Sequence, residues 1–260
     1  MMTLSRGSLA ALCITATVLL LPALASAQSN EVKEKPPLYT YVANWAIPRA
    51  KWAEMAKDNA STTKILDHDI ASGTLVAYGN DESLLHTPDG ATHSGWWCAT
   101  SMAGVLNTLE EFYKNGSTTT GVLASSTRHW DDLYVSRHYG WHPGSVKGGY
   151  VHGAVYKLKS DAPNDALELL SKSFITPLFE KLMSDGTVQA YQIAEQGSHA
   201  ADPALFYVFY ITPKAEGLDK VNAALGESLK SNALAGPAFG SMVDFSQHRD
   251  ELARGDSVFK

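Results

Sequence analysis

The chain has 260 residues, of which 45% are hydrophobic, and its formal net charge at pH 7 is −6. A chain of this length can bury a sizeable hydrophobic core. The acidic balance argues against nucleic acid and against an anionic membrane surface as partners, because both are bound by basic surfaces.

Residues 1–27 have the pattern of a secretory signal peptide. Arg6 gives a positive start, residues 9–21 form an apolar run, and small residues precede a predicted cleavage site before Gln28. Losing Arg6 leaves 20 of the 21 basic residues against 27 acidic ones, a net charge of −7. No later apolar stretch is long enough to span a bilayer. We therefore expect a periplasmic or secreted protein that is free of the membrane after cleavage.

Residues 28–37 are polar and end in two prolines, which is typical of a disordered leader. Beyond the signal peptide the chain has one cysteine, Cys98, so no intramolecular disulfide can form and the core must hold the fold together. Cys98 follows two tryptophans and has no histidine close in sequence to activate it. An inert buried thiol is therefore expected.

The first predicted folding unit spans residues 38–127. Its apolar periodicity and its turn residues predict strands and helices in the order β-α-β-β-α-β. The predicted elements are a strand over 38–45, a helix over 48–69, strands over 74–78 and 96–100, a helix over 102–113 and a weak strand over 121–124.

Residues 128–149 are predicted to link two units and are rich in histidine and aromatic residues. Such a segment can form the rim of a pocket that binds a carboxylate or a planar ligand, with His138 and His142 as candidates. Alternatively, its aromatic residues staple the two units together. Gly140 and Pro143 interrupt any helix that would align the two histidines, so we predict no metal site.

The second predicted unit spans residues 150–260 and repeats the order of the first. Its elements are a strand over 150–158, a helix over 166–183 that Pro177 should kink or split, strands over 187–193 and 205–211, a helix over 218–229 and a last strand over 238–245.

The two units are internally related. Residues 73–78 recur almost unchanged as residues 186–191, at an offset of 113. Such a repeat indicates that each copy is one folding unit that packs on the other. The element order is that of the ferredoxin-like unit, whose helices cover one face of the sheet and leave the other open. We predict an α+β fold in which two tandem ferredoxin-like units pack sheet to sheet as an intramolecular α/β barrel.

This arrangement resembles the dimeric α/β-barrel superfamily in a fused, two-copy form, over about residues 38–252. The chain also looks similar to secreted bacterial proteins of unassigned function. The resemblance implies one of three kinds of activity: cofactor-free oxygenation, haem degradation or haem-dependent chemistry, and non-catalytic binding of small molecules. No motif selects among them, so the resemblance leaves open whether the protein is an enzyme.

The predicted inner face of the barrel carries aromatic and polar side chains. Alternation along the first strand of each unit puts Tyr41 and Trp45 on the same face as His152 and Tyr156, at an offset of 111. We predict that this face lines a ligand pocket together with Gln189 and Tyr191. The alternative is that the same side chains fill a closed core.

Three histidines are candidate catalytic bases or axial ligands: His86, His152 and His199. His86 and His199 each stand three residues before an aspartate, which can orient a histidine, although ordinary turn chemistry explains the pattern equally well. A second recurring pattern pairs His129 with Asp131 and His248 with Asp250, and it suits helix caps or surface turns better than catalysis.

The leading hypothesis is a periplasmic or secreted protein that binds a small aromatic or apolar molecule. The alternative is a cofactor-free or haem-dependent monooxygenase or related oxidoreductase. A third hypothesis is an interaction module with a packed barrel. The expected state is a monomer, in which the two units form a pseudo-dimer, or a homodimer. No cofactor is required by the sequence, and haem is the one cofactor considered.

Overall fold

The structure is a computed structural model that describes residues 35–198, 204–231 and 235–260. The predicted signal peptide, most of the predicted leader, His199 and Asp202 lie outside the described residues. No helix within these three ranges is long and apolar enough to cross a bilayer.

The first half contains four strands and two helices. They are β1 (Leu38–Ala46), α1 (Trp52–Ser72), β2 (Ala77–Ser83), β3 (His93–Ala99), α2 (Met102–Lys114) and β4 (Arg128–Trp141).

The second half also contains four strands. They alternate with helices in the order β5 (Gly144–Leu158), α3 (Ala166–Leu170), α4 (Thr176–Ser184), β6 (Ala190–Gln196), β7 (Leu205–Thr212), α5 (Ala215–Ser231), α6 (Ala235–Met242) and β8 (Val243–Phe259).

The structure corrects three predicted elements. Residues 128–149 are not a linker, because they form all of β4 and the start of β5. The weak strand over 121–124 is replaced by a short 3-10 turn at Leu123–Ser125. The last strand starts at Val243 rather than at 238, since α6 occupies the residues before it.

The predicted split at Pro177 is confirmed. A π-helical turn, Ser171–Ile175, separates α3 from α4, and Pro177 lies in the first turn of α4. Proline is tolerated there because the first N–H groups of a helix have no intrahelical acceptor. Two other helix ends follow simple rules: Gly73 ends α1 with a φ of 85°, and the Ser101 hydroxyl accepts a hydrogen bond from the Gly104 N–H at the start of α2.

The eight strands close into one barrel in the order β1-β3-β2-β8-β5-β7-β6-β4. All neighbouring strands are antiparallel. Each half contributes four adjacent strands, ordered β4-β1-β3-β2 and β8-β5-β7-β6, and the halves join edge to edge where β2 meets β8 and β4 meets β6. Closure leaves no free strand edge.

The helices cover the outside of the barrel. In the first half, α1 and α2 pack on a cluster that includes Tyr41, Leu66, Trp97, Val105 and Phe112. In the second half, the core cluster includes Leu170, Phe174, Phe179, Tyr191 and Val221. The wall of the barrel therefore has one face against helices and one face toward the interior, and this decides where a site can form.

Candidate functional site

The predicted assignment of the two faces of β1 and β5 is wrong. Tyr41 stacks on Trp97, with ring centroids 4.7 Å apart, in the cluster beneath α1 and α2. In the second half, Tyr156 stacks on Phe206 at 5.2 Å and meets Phe239 of α6 edge-on. The aromatic face therefore points at the helices, where large rings bury the most area.

The opposite face of the strands encloses a cavity of about 600 Å³ inside the barrel. The barrel is therefore not fully packed. We call this space the barrel cavity. It is lined by the residues that alternate with the aromatic ones, among them Thr40, Val42 and Asn44 of β1. Cys98 also faces it, and burial raises the pKa of this thiol to about 12, which agrees with the inert thiol expected from the sequence.

A second cavity, of about 360 Å³, lies in the first half between the sheet and the helices. We call it the helix-side cavity. Its walls include the aromatic rings of Trp45, Trp97 and Phe112, and helix α1 contributes the polar Asp58, Asn59 and Thr62. Trp45 is thus the residue of the predicted aromatic face that lines this cavity.

A histidine and an aspartate of β4 stand at the sheet side of the helix-side cavity. The His129 ring stacks on Trp45, with centroids 5.1 Å apart, and its Nε2 lies 3.4 Å from Asp131 Oδ1. His129 Nδ1 lies 2.8 Å from the Asn44 carbonyl oxygen. An Nδ1–H that donates to this carbonyl leaves Nε2 facing the carboxylate, free to accept a proton.

Tyr41 completes this group from the neighbouring strand. Burial, followed by the charge of Asp131, raises the pKa of the Tyr41 hydroxyl well above its ordinary value. The hydroxyl therefore remains a neutral hydrogen-bond donor to the Asp131 carboxylate.

The second half repeats the same arrangement with other residues. His248 stacks on Tyr156 at 4.4 Å, and its Nε2 lies 3.4 Å from Asp250 Oδ2. Its Nδ1 lies 3.0 Å from the Val155 carbonyl oxygen. His152, at the position of Tyr41, places Nε2 3.7 Å from the other oxygen of Asp250. The recurring His-x-Asp pattern is therefore a pair of matching strand sites, and neither copy caps a helix.

The lining of the first half differs from the second where the cavity is open. Ala43 pairs with Gly95 in the first half, and its counterpart Ala154 pairs with Val208 in the second. Gly95 in turn pairs with Asn80, whereas Val208 pairs with Ile193.

Val208 and Ile193 both belong to the buried core cluster of the second half. In the first half, Gly95 has no side chain and Asn80 has a polar one, and a cavity lies there. In the second half, the aliphatic side chains of Val208 and Ile193 fill the equivalent space. This difference is visible in the sequence, because the repeat offset of 113 aligns Gly95 with Val208 and Asn80 with Ile193.

Burial shifts the pKa values of His152 and Tyr156 in the second half. It is the main cause that lowers the pKa of His152, against an opposing effect of Asp250. It also raises the pKa of Tyr156 to about 12. His152 stacks on Tyr210 at 4.8 Å. His152 lies among packed aromatic rings, and burial there favours the neutral imidazole.

The other predicted site residues hold elements together. Tyr191 stacks on Phe179 and donates to Glu180 Oε1 over 2.6 Å, and it also borders the barrel cavity. Gln189 donates to the His142 carbonyl oxygen, and His142 Nε2 lies 2.9 Å from the Met183 carbonyl oxygen. These contacts tie β4 to the turn between α4 and β6.

Two further histidines are also used locally. His138, which is 9% exposed, places Nε2 2.8 Å from Glu168 Oε2 and so connects β4 to α3. His86 places Nε2 3.0 Å from the Ser83 carbonyl oxygen and meets the Trp52 ring edge-on. Among the described residues, no group of three or more His, Cys, Asp or Glu side chains could hold a metal ion.

No family model matches the chain, and no curated protein matches it in sequence. Solved structures do match its fold. A structure described as a "putative monooxygenase" from Lactobacillus acidophilus has a TM-score of 0.60 and 11% identity, and the match covers 85% of this chain and 94% of that one. This match shows that the two chains share a fold, in which this chain forms a closed eight-stranded barrel with helices on its outside.

Two further structures agree. A "putative monooxygenase" from Fusobacterium nucleatum has a TM-score of 0.54 and 8% identity, covering 86% of this chain and 93% of that one. A structure described as an anthrone oxidase-like protein has a TM-score of 0.51 and 11% identity, covering 85% and 92%. At these identities the likeness concerns the fold alone, and the function has to be argued from the site.

Proposed function

We propose that the protein binds a small planar aromatic molecule with hydrogen-bonding groups, and that the ligand lies in the helix-side cavity of the first half. The observation that carries this proposal is the difference between the halves. The matching His–Asp pairs have the same geometry, but only the pair His129 and Asp131 borders the cavity opened by Gly95 and Asn80.

The size and chemistry of the helix-side cavity support this class of ligand. Ligand pockets typically measure roughly 300–1,000 Å³ and combine aromatic walls with a few polar groups, and this cavity has about 360 Å³. Trp45 and Trp97 provide flat apolar surface. His129, Asp131 and Asn80 provide acceptors and donors for hydroxyl or carbonyl groups at the edge of a ring.

A thermal-shift screen of planar phenols and quinones tests the proposal. The ligand that raises the melting temperature most is then measured with His129→Asn and with the matched variant His248→Asn. We expect His129→Asn to weaken binding and His248→Asn to leave it unchanged. Equal loss in both variants, or no stabilising ligand in the screen, would contradict the proposed site.

A second candidate function is cofactor-free oxygenation in the same cavity. It rests on His129, whose Nε2 lies 3.4 Å from Asp131 Oδ1 and which lines the aromatic-walled cavity together with Asp131. It is also favoured by the fold shared with "putative monooxygenases". A base at this place can take the acidic C–H proton of an anthrone-type substrate, whose anion then reacts with dioxygen. The balanced reaction consumes one anthrone and one dioxygen and yields one anthraquinone and one water.

Oxygen uptake with anthrone as the substrate tests this second function. We expect one dioxygen consumed per anthraquinone formed, and a large loss of rate in His129→Asn with binding partly retained. Binding of the anthraquinone without any oxygen uptake above the uncatalysed rate would leave the protein as a binder and remove the oxygenase.

Of the histidines predicted as axial ligands of haem, the two that the structure describes, His86 and His152, do not fit that role. An axial ligand needs a ring nitrogen that faces a slot for the macrocycle. His152 stacks on Tyr210 and points Nε2 toward Asp250, and His86 points Nε2 at the Ser83 carbonyl oxygen. We therefore derive no step through haem. A Soret band in purified protein after haem addition would overturn this reading.

Three expectations from the sequence stay proposals. They are the signal peptide over residues 1–27 with a periplasmic or secreted location, the organisation as two ferredoxin-like units, and a monomer or homodimer in solution. N-terminal sequencing of the protein recovered from cells and light scattering of the purified protein test the first and the last. The second is supported by the strand orders β4-β1-β3-β2 and β8-β5-β7-β6 of the two halves.

A further inference from the structure

The barrel cavity has two unlike walls. Across the first half, a polar band runs over four adjacent strands, from Asp81 through Ser94 and Asn44 to Asp132. Ser94 donates to Asn44 Oδ1 over 3.1 Å, and Asn44 donates to Asp132 Oδ2 over 3.0 Å. Hydrogen bonds thus join Asp132 to Asn44 and Ser94, and Asp81 lies beside Ser94 as its strand-pairing partner.

The wall contributed by β5 and β7 of the second half is mainly apolar. It presents Val151, Val155, Phe209 and Ile211 to the same space. The repeat places Ala194, Tyr207 and Val155 where the first half has Asp81, Ser94 and Asn44. The fold therefore does not require the acid Asp81 or the amide Asn44, since the second half builds the same strands with Ala194 and Val155 there. The position of Asp132 keeps an acid, Glu251, at the offset of 119 that relates His129 to His248.

Asp81 is the acid whose hydrogen bonding is incomplete. It is 8% exposed, and its Oδ2 accepts a hydrogen bond from Trp96 Nε1 over 2.8 Å. Its Oδ1 is buried and has no hydrogen-bond partner in the protein. A carboxylate oxygen without a partner is costly to bury, and a donor from a ligand would compensate this cost.

Space for the Asp81 carboxyl is provided by two glycines. A Cβ at Gly255, on the neighbouring strand β8, would lie 2.2 Å from Asp81 Oδ1. A Cβ at Gly79 would lie 2.4 Å from the ring of Trp96, the partner of Asp81. Both glycines keep the acid and its tryptophan inside the barrel, where burial raises the pKa of Asp81 to about 7.

The charges around the barrel cavity are unbalanced. Five acids line it, Asp81, Asp89, Asp132, Asp250 and Glu251, together with two cations, Arg128 and Arg249. Burial is the main cause that raises the pKa of Asp132, and Arg249 opposes it only weakly. A cation from a ligand would reduce this excess of negative charge in a region of low dielectric, where pairing of charges counts most.

The barrel cavity also reaches the surface. Its lining extends to the loop between β2 and β3, which includes Leu85, Thr87 and Asp89, and Leu85 is 58% exposed. Arg128 of β4 donates to the Asp89 carbonyl oxygen over 2.9 Å and so holds this loop at the mouth. A small molecule can therefore enter from this end.

We propose that the barrel cavity is a second binding site, separate from the helix-side cavity, and that it takes a small apolar molecule carrying a protonated amine. The ammonium group pairs with the band formed by Asp81, Ser94, Asn44 and Asp132. The hydrocarbon part lies on the valines and phenylalanine of the opposite wall. This site does not depend on the function proposed for the helix-side cavity.

The test compares two probes of nearly equal shape, 2-phenylethylamine and its neutral analogue 2-phenylethanol, by calorimetric titration of the full chain. We expect the amine to bind roughly tenfold or more tightly than the alcohol, because only the amine supplies charge to the acids. Equal affinity for the two probes, or no binding of the amine at millimolar concentration, would overturn the proposal.

Variants then locate the site. Asp81→Asn and Asp132→Asn retain side-chain size, and each is expected to reduce the preference for the amine over the alcohol. Asp256→Asn is the matched control, since this acid lies on β8 with its side chain 53% exposed and acts on Asp81 only at a distance. Loss of the preference in Asp256→Asn alone would mean that the surface potential and not the cavity selects the amine.

Two further variants separate this proposal from the function of the helix-side cavity. Gly95→Val fills the helix-side cavity and should leave amine binding unchanged. Val151→Phe narrows the barrel cavity from its apolar wall and should weaken binding of the amine and the alcohol alike. The opposite pattern, with amine binding lost in Gly95→Val and kept in Val151→Phe, would place the amine in the helix-side cavity and refute a barrel site.

Discussion

Gly95 on β3 occupies the place in the first half that Val208 on β7 occupies in the second. Each is the pairing partner of an equivalent alanine, Ala43 or Ala154. Val208 is 6% exposed inside a large apolar cluster, whereas Gly95 borders the helix-side cavity. The small size of Gly95 therefore helps to leave a cavity in the first half at a position that Val208 fills in the second.

Gly95→Val should convert the first half into a closed copy of the second. A Cβ at this position would lie 3.3 Å from Asn80 Oδ1 and 3.7 Å from the Trp45 ring, so the added side chain enters the cavity with small adjustments. We expect the stabilisation by an aromatic ligand to vanish, while the free energy of unfolding without ligand rises by about 0.5–1 kcal/mol because a cavity is filled. Differential scanning calorimetry with and without ligand measures both quantities.

Val208→Ala is the control for this substitution. It creates a void in the core of the second half and should cost about 2 kcal/mol of stability, yet it should leave ligand binding in the first half intact. A folded Gly95→Val protein that still binds the ligand would show that the helix-side cavity is not the site.

Glu168→Gln tests the link between β4 and α3. The hydrogen bond with His138 is the first cause that lowers the pKa of Glu168. A carboxyl group with a lowered pKa in the folded state stabilises the fold above its unfolded pKa, and this stabilisation is lost as the pH falls through the folded pKa.

The Glu168 side chain is 43% exposed, so we expect a loss of only about 0.5–1 kcal/mol near neutral pH and a shallower loss of stability in acid. Urea unfolding at several pH values measures this change. Glu110→Gln, in the exposed pair with Lys114, should change neither quantity, and a Glu168→Gln curve that coincides with the wild type would refute the link.

The sequence predicted the order of the elements because each element has a clear period. It missed β4, whose residues are polar and aromatic and look like a linker. The reason is that β4 joins the two halves of the barrel. Residues 128–136 pair with β1 and residues 134–141 pair with β6, so the formation of this strand depends on partners far away in the chain. Local composition does not carry that information.

Alternation along β1 identified two faces but not which of them points inward. Both faces of a closed barrel wall are buried when helices cover it, so hydrophobicity does not distinguish them. Alternation alone therefore predicts Tyr41 and Trp45 in the interior, whereas Thr40, Val42 and Asn44 line it. The difference between Gly95 and Val208 was visible in the repeat, but its meaning needed the knowledge of which face the helices cover.

Asp81→Asn should remove a pH-dependent cost of folding. Burial raises the pKa of Asp81 from 3.8 to about 7. The contribution of such a group to stability is fully present below the unfolded pKa and is lost as the pH rises toward the folded pKa. The loss between these limits is on the order of 4 kcal/mol.

We therefore expect the wild-type protein to lose more stability than Asp81→Asn between about pH 5 and about pH 8, with the variant the more stable protein at the upper end. Urea unfolding across this range gives the two slopes. Asp161→Asn, which changes an exposed carboxyl group, should keep the wild-type slope. Parallel curves for the wild type and Asp81→Asn would mean that Asp81 is not protonated in the folded protein.

Gly255→Ala should disrupt the pairing of strands β2 and β8. A Cβ at this position would lie 2.1 Å from the Asn80 backbone oxygen and 2.2 Å from Asp81 Oδ1, and the strand backbone cannot yield as a flexible side chain can. We expect a loss of about 3 kcal/mol or more, and a change in the near-ultraviolet circular dichroism of Trp96 as its contact with Asp81 is disturbed.

Gly226→Ala provides the opposite expectation for the same chemical change. Gly226 lies inside helix α5, and a Cβ there meets no atom within 4 Å. Alanine stabilises a helix interior over glycine by about 0.5–1 kcal/mol, so this variant should melt at a higher temperature than the wild type. If both alanine variants shifted the melting temperature in the same direction, the close approach of β8 to β2 at Gly255 would not be what requires glycine there.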